Sequence, residues 1–316
     1  MLKEEPLNAV QVASLLHVGR NKVYEMAQSG ELPSYRIGRK LLFSQLDVQQ
    51  FLEMQHGRNV GRLAEADVAS TSSARYVEEL VQHESEFNIA GTDLVSGLIV
   101  DALSSEGFTA ANVRVNGYAA LVGMYLGNVD AACVDLYDAK TNSYNVAFAQ
   151  RLAPGIPVVV INLFERKRGF ALAEGNPKKI TTWGGLLKDG VRLAQQEPGT
   201  AARVLLDEKL MLLEARAETI IGYDGVATNG FLAANRVAAG LADVAICTER
   251  EALSETGVVF LPMQTERLDL VVRKSRGNRE FVKAIKRLTA SDQLRELLLR
   301  LAGADCRNAG SIVYES

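Results

Sequence analysis

Histidine, cysteine and long apolar runs are all scarce in this 316-residue chain, and each scarcity removes a class of function. The three histidines, His17, His56 and His83, are scattered through the N-terminal part of the chain, so neither a Ser-His-Asp arrangement nor a histidine-based metal site can be assembled from them. The three cysteines, Cys133, Cys247 and Cys306, are odd in number and lack metal-ligand spacing, which excludes a zinc site and a disulfide framework and suits a reducing compartment. The longest apolar runs, such as Val158 to Phe164, have the length of a strand and fall far short of the roughly 20 residues of a membrane span. Met1 to Pro6 is acidic and polar, unlike the basic start of an export signal, so a cytoplasmic protein is expected. No nucleotide-binding glycine loop and no acid/base constellation is present, and the expectation is a protein that is not an enzyme, with no catalytic residue, metal or cofactor. A net positive charge is missing as well. The formal net charge is −3, whereas a dedicated nucleic-acid binder is usually basic overall, so any DNA contact must come from a local patch.

What is present divides the chain into three parts. Residues 1–56 read as helix, turn, helix, hairpin wing and helix. Asn8 is placed to cap a first helix with the apolar stripe Val12, Leu15 and Leu16, and a second helix runs from Arg20 to a stop at Ser29-Gly30. Two β-type runs, Ser34 to Ile37 and Leu41 to Ser44, flank Gly38-Arg39-Lys40, and a third helix carries Val48, Phe51 and Leu52. Residues 57–86 are a polar linker in which Tyr76, Leu80 and Val81 stand at helical spacing, enough for a short helix able to pair with its copy in a homodimer. From 87 to 316, strand-like runs (Asn88 to Gly91, Val113 to Gly117, Ala131 to Asp135, Val158 to Phe164) alternate with helical ones, the pattern of an α/β domain with largely parallel sheets. One echo divides that domain. Gly127-Asn-Val-Asp130-Ala-Ala-Cys133 returns further along the chain as Gly240-Leu-Ala-Asp243-Val-Ala-Ile-Cys247, each with a helix-ending glycine, a turn aspartate and a small apolar strand. Two similar lobes follow, the first at about 87–164 and 264–316 and the second at about 165–263.

On the second helix Val23, Met26 and Ala27 form the buried face, leaving Arg20, Asn21 and Tyr24 on the other side. Arginine reads guanine and asparagine reads adenine in the major groove through paired hydrogen bonds, each worth about 1–3 kcal/mol of discrimination. Between His17 and Phe43, Arg20, Lys22, Arg36, Arg39 and Lys40 outnumber Glu25 and Glu31, so the local patch exists. Arg39 and Lys40 at the wing tip are placed for phosphate contact. Asn8-Ala-Val-Gln-Val-Ala-Ser-Leu-Leu, Val18-Gly-Arg-Asn-Lys-Val-Tyr24, Gly30-Glu-Leu-Pro33 and Tyr35-Arg-Ile-Gly-Arg-Lys-Leu-Leu-Phe43 together resemble the excisionase-type, MerR-like winged helix-turn-helix family over residues 7–54. The family usually has Ser or Thr where this chain has Gly19, a slightly weaker helix cap. The resemblance implies double-stranded DNA as a partner.

In the larger domain three strand-to-helix corners look built to hold an anion at helix N-termini. They are Ala90-Gly91-Thr92-Asp93, Asn116-Gly117-Tyr118-Ala119 and Glu197-Pro-Gly-Thr200-Ala201-Ala-Arg203. The candidate ligand-binding residues are Thr92, Tyr118, Ala119, Thr200, Ala201 and Arg203, with Asn229 and Thr248 in the second lobe. Asp93, Asp135 and Glu249, near predicted strand ends, read as capping residues, and Arg166-Lys-Arg168 reads as a solvated turn between the lobes. Residues 87–316 resemble the periplasmic-binding-protein-like domain of bacterial regulators related to molybdate-binding proteins. Ala90-Gly-Thr-Asp93, Gly127-Asn-Val-Asp130, Asn142-Ser-Tyr-Asn145, Arg168-Gly169, Gly175-Asn-Pro-Lys-Lys-Ile180, Pro198-Gly-Thr-Ala-Ala-Arg203, Ala238-Ala-Gly-Leu-Ala-Asp243 and Glu266-Arg-Leu-Asp-Leu270 carry that resemblance. It implies a hinged, two-lobed (type II) α/β fold sensing a tetrahedral oxyanion such as molybdate or tungstate. The family pattern is richer in Gly and Ser than Pro198 to Ala202, and Tyr118 stands where small hydroxyl residues are common.

The function expected is therefore a bacterial transcriptional regulator that binds operator DNA as a homodimer and answers to a small anion. Two alternatives stay open: the same architecture with a small organic effector, and a DNA-architectural or recombination accessory protein. The second has no use for a ligand domain as large as 87–316.

Overall fold

A computed structural model describes residues 7–8, 12, 23, 35–37, 40–43, 86–92, 94–225, 227–302 and 304–316. The chain divides into two compact units, residues 1–71 and 72–316. In the first, Leu7–Asn8 (β1), Tyr35–Ile37 (β2) and Lys40–Phe43 (β3) form a three-stranded antiparallel sheet in the order β1-β3-β2. The hairpin strands fall within a residue of where the sequence pattern places them: Lys40, read as part of the turn, lies on β3 opposite Ile37, and Tyr35 lies opposite Leu42. β1 is an addition to the expected elements: Asn8, read as a helix cap, lies in it opposite Leu42. Val12 and Val23, both in helical backbone, are fully buried, as the apolar stripes required, and so is Phe43 on β3.

The second unit is built on one mixed eight-stranded sheet. Its strands are Phe87–Ala90 (β4), Ala110–Val113 (β5), Ala131–Val134 (β6), Val158–Ala173 (β9), Leu193–Ala194 (β10), Val244–Thr248 (β11), Val258–Arg273 (β12) and Ile312–Glu315 (β13). A small ribbon, Tyr137–Asp138 (β7) with Ser143–Tyr144 (β8), lies apart. The sheet order is β10-β11-β9-β12-β6-β4-β5, with β13 beside β9. Only β4 with β5, β4 with β6 and β10 with β11 pair parallel; the remaining pairs are antiparallel. The expectation of largely parallel sheets is corrected by β9 and β12. Each is 16 residues long, and they pair with each other along their whole length while serving both lobes in turn. The first half of β9 joins β13, and its second half joins β11. Sequence periodicity misses the second half because Glu165-Arg-Lys-Arg168 interrupts the apolar run before Phe170 resumes it.

Helices cover both faces. Leu94–Ser105 (α1), Arg279–Thr289 (α7) and Asp292–Ala302 (α8) contribute to one core of the first lobe, where Phe87 and Phe281 stack at 4.0 Å. Gly117–Tyr125 (α2) and Val146–Leu152 (α3) contribute to the core on the other face. In the second lobe Ala201–Leu212 (α4) packs on Phe170, Leu172, Val244 and Ile246. Gly230–Ala238 (α5) and the short Glu249–Leu253 (α6) pack on Ala171, Ala245 and Cys247. Strand residues thus alternate between the two cores with the period of two that a doubly covered sheet demands. No helix among the described residues is long and apolar enough to cross a membrane.

The echo between lobes holds at the level of hydrogen bonds. Gly127 (φ +88°) and Gly240 (φ +70°) follow α2 and α5 in the left-handed conformation. Asp130 Oδ2 accepts from Asn88 N at 3.0 Å and Asp243 Oδ2 from Arg192 N at 2.8 Å, while each aspartate N–H donates back to the same residue's carbonyl at 2.8 Å. An arginine clamps each carboxylate, Arg273 on Asp130 at 2.6 Å and Arg192 on Asp243 at 3.1 Å. α2 and α5 are separated along the chain by the same interval as the two halves of the sequence echo, and both open on Asn-Gly.

Gly169 stands at a close approach of the two long strands. A Cβ there would fall inside contact distance of the Leu261 carbonyl oxygen, beside the register break between Pro262 and Gln264. Overpacking of this kind costs about 1–3 kcal/mol and sometimes more. Gly169→Ala is expected to sit at or above the top of that range in urea unfolding, and a midpoint equal to wild type would show that the strands have slack there.

Candidate functional site

The cleft follows from the topology: β4, β5 and β6 of the first lobe and β10 and β11 of the second all end at it. Ligands bind outside the carboxyl ends of strands in such sheets. Its volume is about 370 Å³, within the roughly 300–1,000 Å³ typical of small-molecule sites. The first lobe supplies Thr92, Leu94, Arg114, Asn116, Gly117 and Asp135, and the second supplies the starts of α4, α5 and α6. Arg166 and Arg168, from the middle of β9, also line it.

That pair corrects the solvated-turn reading of Arg166-Lys-Arg168. Residues 166 and 168 share one face of β9, and Arg168 is 4% exposed. Glu266, opposite Arg166 on β12 and 1% exposed, accepts from Arg166 Nε at 2.6 Å and from Arg168 Nη2 at 2.9 Å, with a further bond from Arg168 Nε. Asp135, at the end of β6, lies 3.1 Å from Arg166 and 3.7 Å from Arg168. Burial pushes the Glu266 carboxyl up, and the two guanidiniums more than reverse it, leaving it below the ordinary glutamate range. The described lining residues carry four guanidiniums (Arg114, Arg166, Arg168, Arg250) against the carboxylates of Asp135 and Glu251, with Glu266 behind them. One positive charge is left over among these groups.

Of the anticipated ligand residues, Thr92, Thr200, Ala201, Asn229 and Thr248 line the cleft. Three stand outside its lining. Arg203 stacks on the Tyr223 ring at 3.8 Å, donates to Tyr223 O at 3.1 Å and reaches Asp207 at 3.3 Å, so its charge is committed to its own lobe. Tyr118 packs its ring edge-on against Phe148. Ala119 is buried, and its N–H donates to Asn116 Oδ1 at 3.0 Å as the cap of α2. The hydroxyls are also partly committed. Thr200 donates to Glu197 O at 2.8 Å while capping α4, and Thr248 gives its N–H and hydroxyl to Glu251 Oε2 at 2.7 and 2.8 Å in a capping box. Thr92 is exposed, with no hydrogen bond among the described residues. At α4 the N–H groups of Ala201 and Ala202 have no carbonyl partner within the helix and face the same space. A sequence signal for Arg166 and Arg168 does exist, as Arg-x-Arg between two apolar strand segments with Glu266 in a second such strand; none marks Arg114.

The lobes touch across one edge of the cleft. Asn116 Nδ2 donates to Pro198 O at 3.2 Å, and Tyr118 N–H to Gly199 O at 3.4 Å. Gly199 is at φ +85°, and a Cβ on it would stand 2.7 Å from Asn116 Oδ1.

Of the reader residues, Arg36 lies on β2 and Lys40 on β3. Arg20, Asn21, Lys22, Tyr24 and Arg39 lie outside the described residues, as do Asp93 and the linker helix.

A double-lobed α/β unit with its cleft at the strand ends is the architecture of binding proteins that hold a small ligand between two halves. The chain belongs to the PBP superfamily, whose domain matches residues 100–290, and a helix-turn-helix domain matches residues 7–56. It is similar to the uncharacterized protein YvgK of Bacillus subtilis, 30% identical over 307 residues that cover 97% of each chain. Among solved structures it is similar in fold to a ferric binding protein from Campylobacter jejuni, with a TM-score of 0.52 and 12% identity over 70% of this chain and 86% of that one. A histidine kinase sensor domain with similarity to periplasmic binding proteins gives a TM-score of 0.51 and 13% identity, covering 71% of this chain and 98% of that one.

Two outcomes are expected from this geometry. Gly199→Ala adds a side chain that is strained at positive φ and meets Asn116, so the lobes lose their contact and the Tyr118 amide exchanges with solvent faster, by about tenfold or more. Unchanged protection at Tyr118 would mean the contact holds nothing. Glu266→Gln leaves two guanidiniums undercompensated and is expected to cost about 3–5 kcal/mol at neutral pH. Because the native pKa of Glu266 is depressed, its contribution is complete above the unfolded value of about 4.3 and is lost as pH falls below it. The gap in stability between wild type and Glu266→Gln should therefore narrow on acidification, and a gap that widens there contradicts the assignment.

Proposed function

We propose that this chain is a ligand-responsive transcriptional regulator of the bacterial cytoplasm, which reads operator DNA through its helix-turn-helix domain and binds a small anion in the cleft without turning it over. The observation that carries this reading is the joining of a helix-turn-helix domain to a two-lobed binding domain whose cleft lining includes four arginines, one more positive charge than the carboxylates beside them. Guanidiniums and free helix N–H groups stabilise negative charge with little reorganisation. In this reading Arg20 and Asn21 read bases with Tyr24 on the same face, Arg39 and Lys40 contact phosphates, and Lys22 and Arg36 add to the basic patch. A homodimer supplies two half-sites, since one small reader buries little surface. A tetrahedral oxyanion such as molybdate or tungstate is the effector supported by the resemblance of residues 87–316. A small organic anion is the second reading, favoured by the volume of about 370 Å³ and by Leu94 and Phe231, one from each lobe, which line the cleft while 64% and 44% exposed.

Thermal unfolding with an anion panel tests this. A ligand of the folded state at a hundredfold excess over its Kd adds about 2.7 kcal/mol, a shift of several degrees. Molybdate or tungstate, or failing them an organic anion from a set of small carboxylates, amino acids and phosphate esters, is expected to produce it. Thr92→Val and Arg114→Gln should each reduce that shift and leave the unliganded melting temperature nearly unchanged. If no anion shifts the melting temperature, or if the shifting anion leaves affinity for the DNA upstream of the gene unaltered, the sensor reading is wrong.

A further inference from the structure

Away from the cleft, the first lobe has a second depression of about 380 Å³. Lys274, Arg276, Arg279 and Lys283 line it, with Val282 as an apolar element and Glu315 the single carboxylate of the lining. α7 extends the same character, because Arg279, Lys283, Lys286 and Arg287 follow at the i, i+4, i+7 and i+8 spacing of one helix face. Six cations stand between residues 274 and 287. Three carboxylates answer them. Glu315 is shared by Lys274 and Lys286, both at 3.0 Å, Glu280 sits 2.8 Å from Lys283, and Glu106 pairs with Arg287. Arg276 and Arg279 have no carboxylate partner among the described residues, and both are exposed.

The position of those two arginines is unfavourable for the fold itself. Arg279 is the first residue of α7 and Arg276 lies three residues before it, at the positive end of the helix dipole. A cation there costs a few tenths of a kcal/mol to about 1 kcal/mol, where an acid would stabilise. Glu280 in the same turn offsets part of that cost, and the two exposed guanidiniums are available to an external anionic surface in a chain of net charge −3. The groove is open and carries no buried polar group, so it fits an extended polyanion rather than an enclosed small ligand.

We propose that this groove is a second, sequence-independent contact for the phosphate backbone of DNA, carried by the sensor lobe. The proposal rests on the regulator reading, since the helix-turn-helix domain would hold duplex DNA at high effective concentration for any further basic surface of the same chain. Its consequence is that the salt dependence of binding exceeds what the N-terminal patch supplies.

The test is fluorescence anisotropy of the full-length chain on its upstream DNA and on a random duplex of equal length, between about 50 and 200 mM salt. The wild type is compared with the double variant Arg276→Ser, Arg279→Gln. Each phosphate that is no longer neutralised lowers the slope of log K against log salt by about 0.9, so the variant's slope should be shallower by about two units on both duplexes. Over that fourfold range of salt, two units amount to about a 16-fold smaller change in affinity. The melting temperature should stay level or rise, because the charges removed oppose the helix dipole. An unchanged slope on both duplexes overturns the proposal alone and leaves the groove to a protein partner or to solvent. If the wild type binds neither duplex at the lowest salt, the regulator reading and this proposal fall together.

Discussion

Two arginines share one buried glutamate where β9 and β12 pass from one lobe to the other, and the architecture of the larger unit depends on that arrangement. Strands of 16 residues that serve both lobes need a fixed register at their midpoint, because a slip of one residue would exchange the two cores on either side of the sheet. Apolar packing alone does not specify that register in the middle, where the run of small and branched residues is interrupted. Arg166, Arg168 and Glu266 do, since a carboxylate buried this deeply is tolerable only with both guanidiniums in place. The cost of desolvating the cluster is the reason it specifies the pairing.

The same cluster puts two guanidiniums at the floor of the cleft, balanced there by Glu266 and Asp135. Asp135 reaches it from the first lobe, so the charge balance at the crossing depends on how that lobe stands against β9. Around this floor the two lobes repeat one unit. An Asn-capped helix opening on glycine leads through a left-handed glycine to an aspartate that pins the neighbouring parallel strand, and then to a strand that ends at the cleft. Helix N-termini from both lobes therefore arrive at the same space, and the Asn116 to Pro198 and Tyr118 to Gly199 bonds keep the facing corners together.

Much of this was legible in the sequence where local chemistry decides the outcome. The echo around Asp130 and Asp243, the wing strands Tyr35–Ile37 and Lys40–Phe43 and the cleft corners at Thr92, Thr200, Asn229 and Thr248 all rest on short-range rules of capping, turn and alternation. What was not legible depends on pairing between distant parts of the chain. Arg166 and Arg168 look like a solvated turn until Glu266 is known to lie opposite, and the mixed sheet follows from that same pairing. Arg203 sits at the N-terminal turn of α4 as expected, yet Tyr223 and Asp207, which claim its guanidinium, come from spatial neighbours that no spacing rule reports. Tyr118 is turned away by Phe148 for the same reason.

If the chain senses a ligand as proposed, closure of the two lobes of the larger unit about the crossing of β9 and β12 is the motion that sensing requires. Pulsed electron resonance between spin labels at Asp101→Cys in the first lobe and Glu218→Cys in the second measures it directly, both positions being exposed and the native thiols buried. The distance distribution is expected to shorten and narrow when the anion that raises the melting temperature is added, and to broaden in Glu266→Gln. A distribution indifferent to a stabilising anion would place the ligand elsewhere and contradict closure about the crossing.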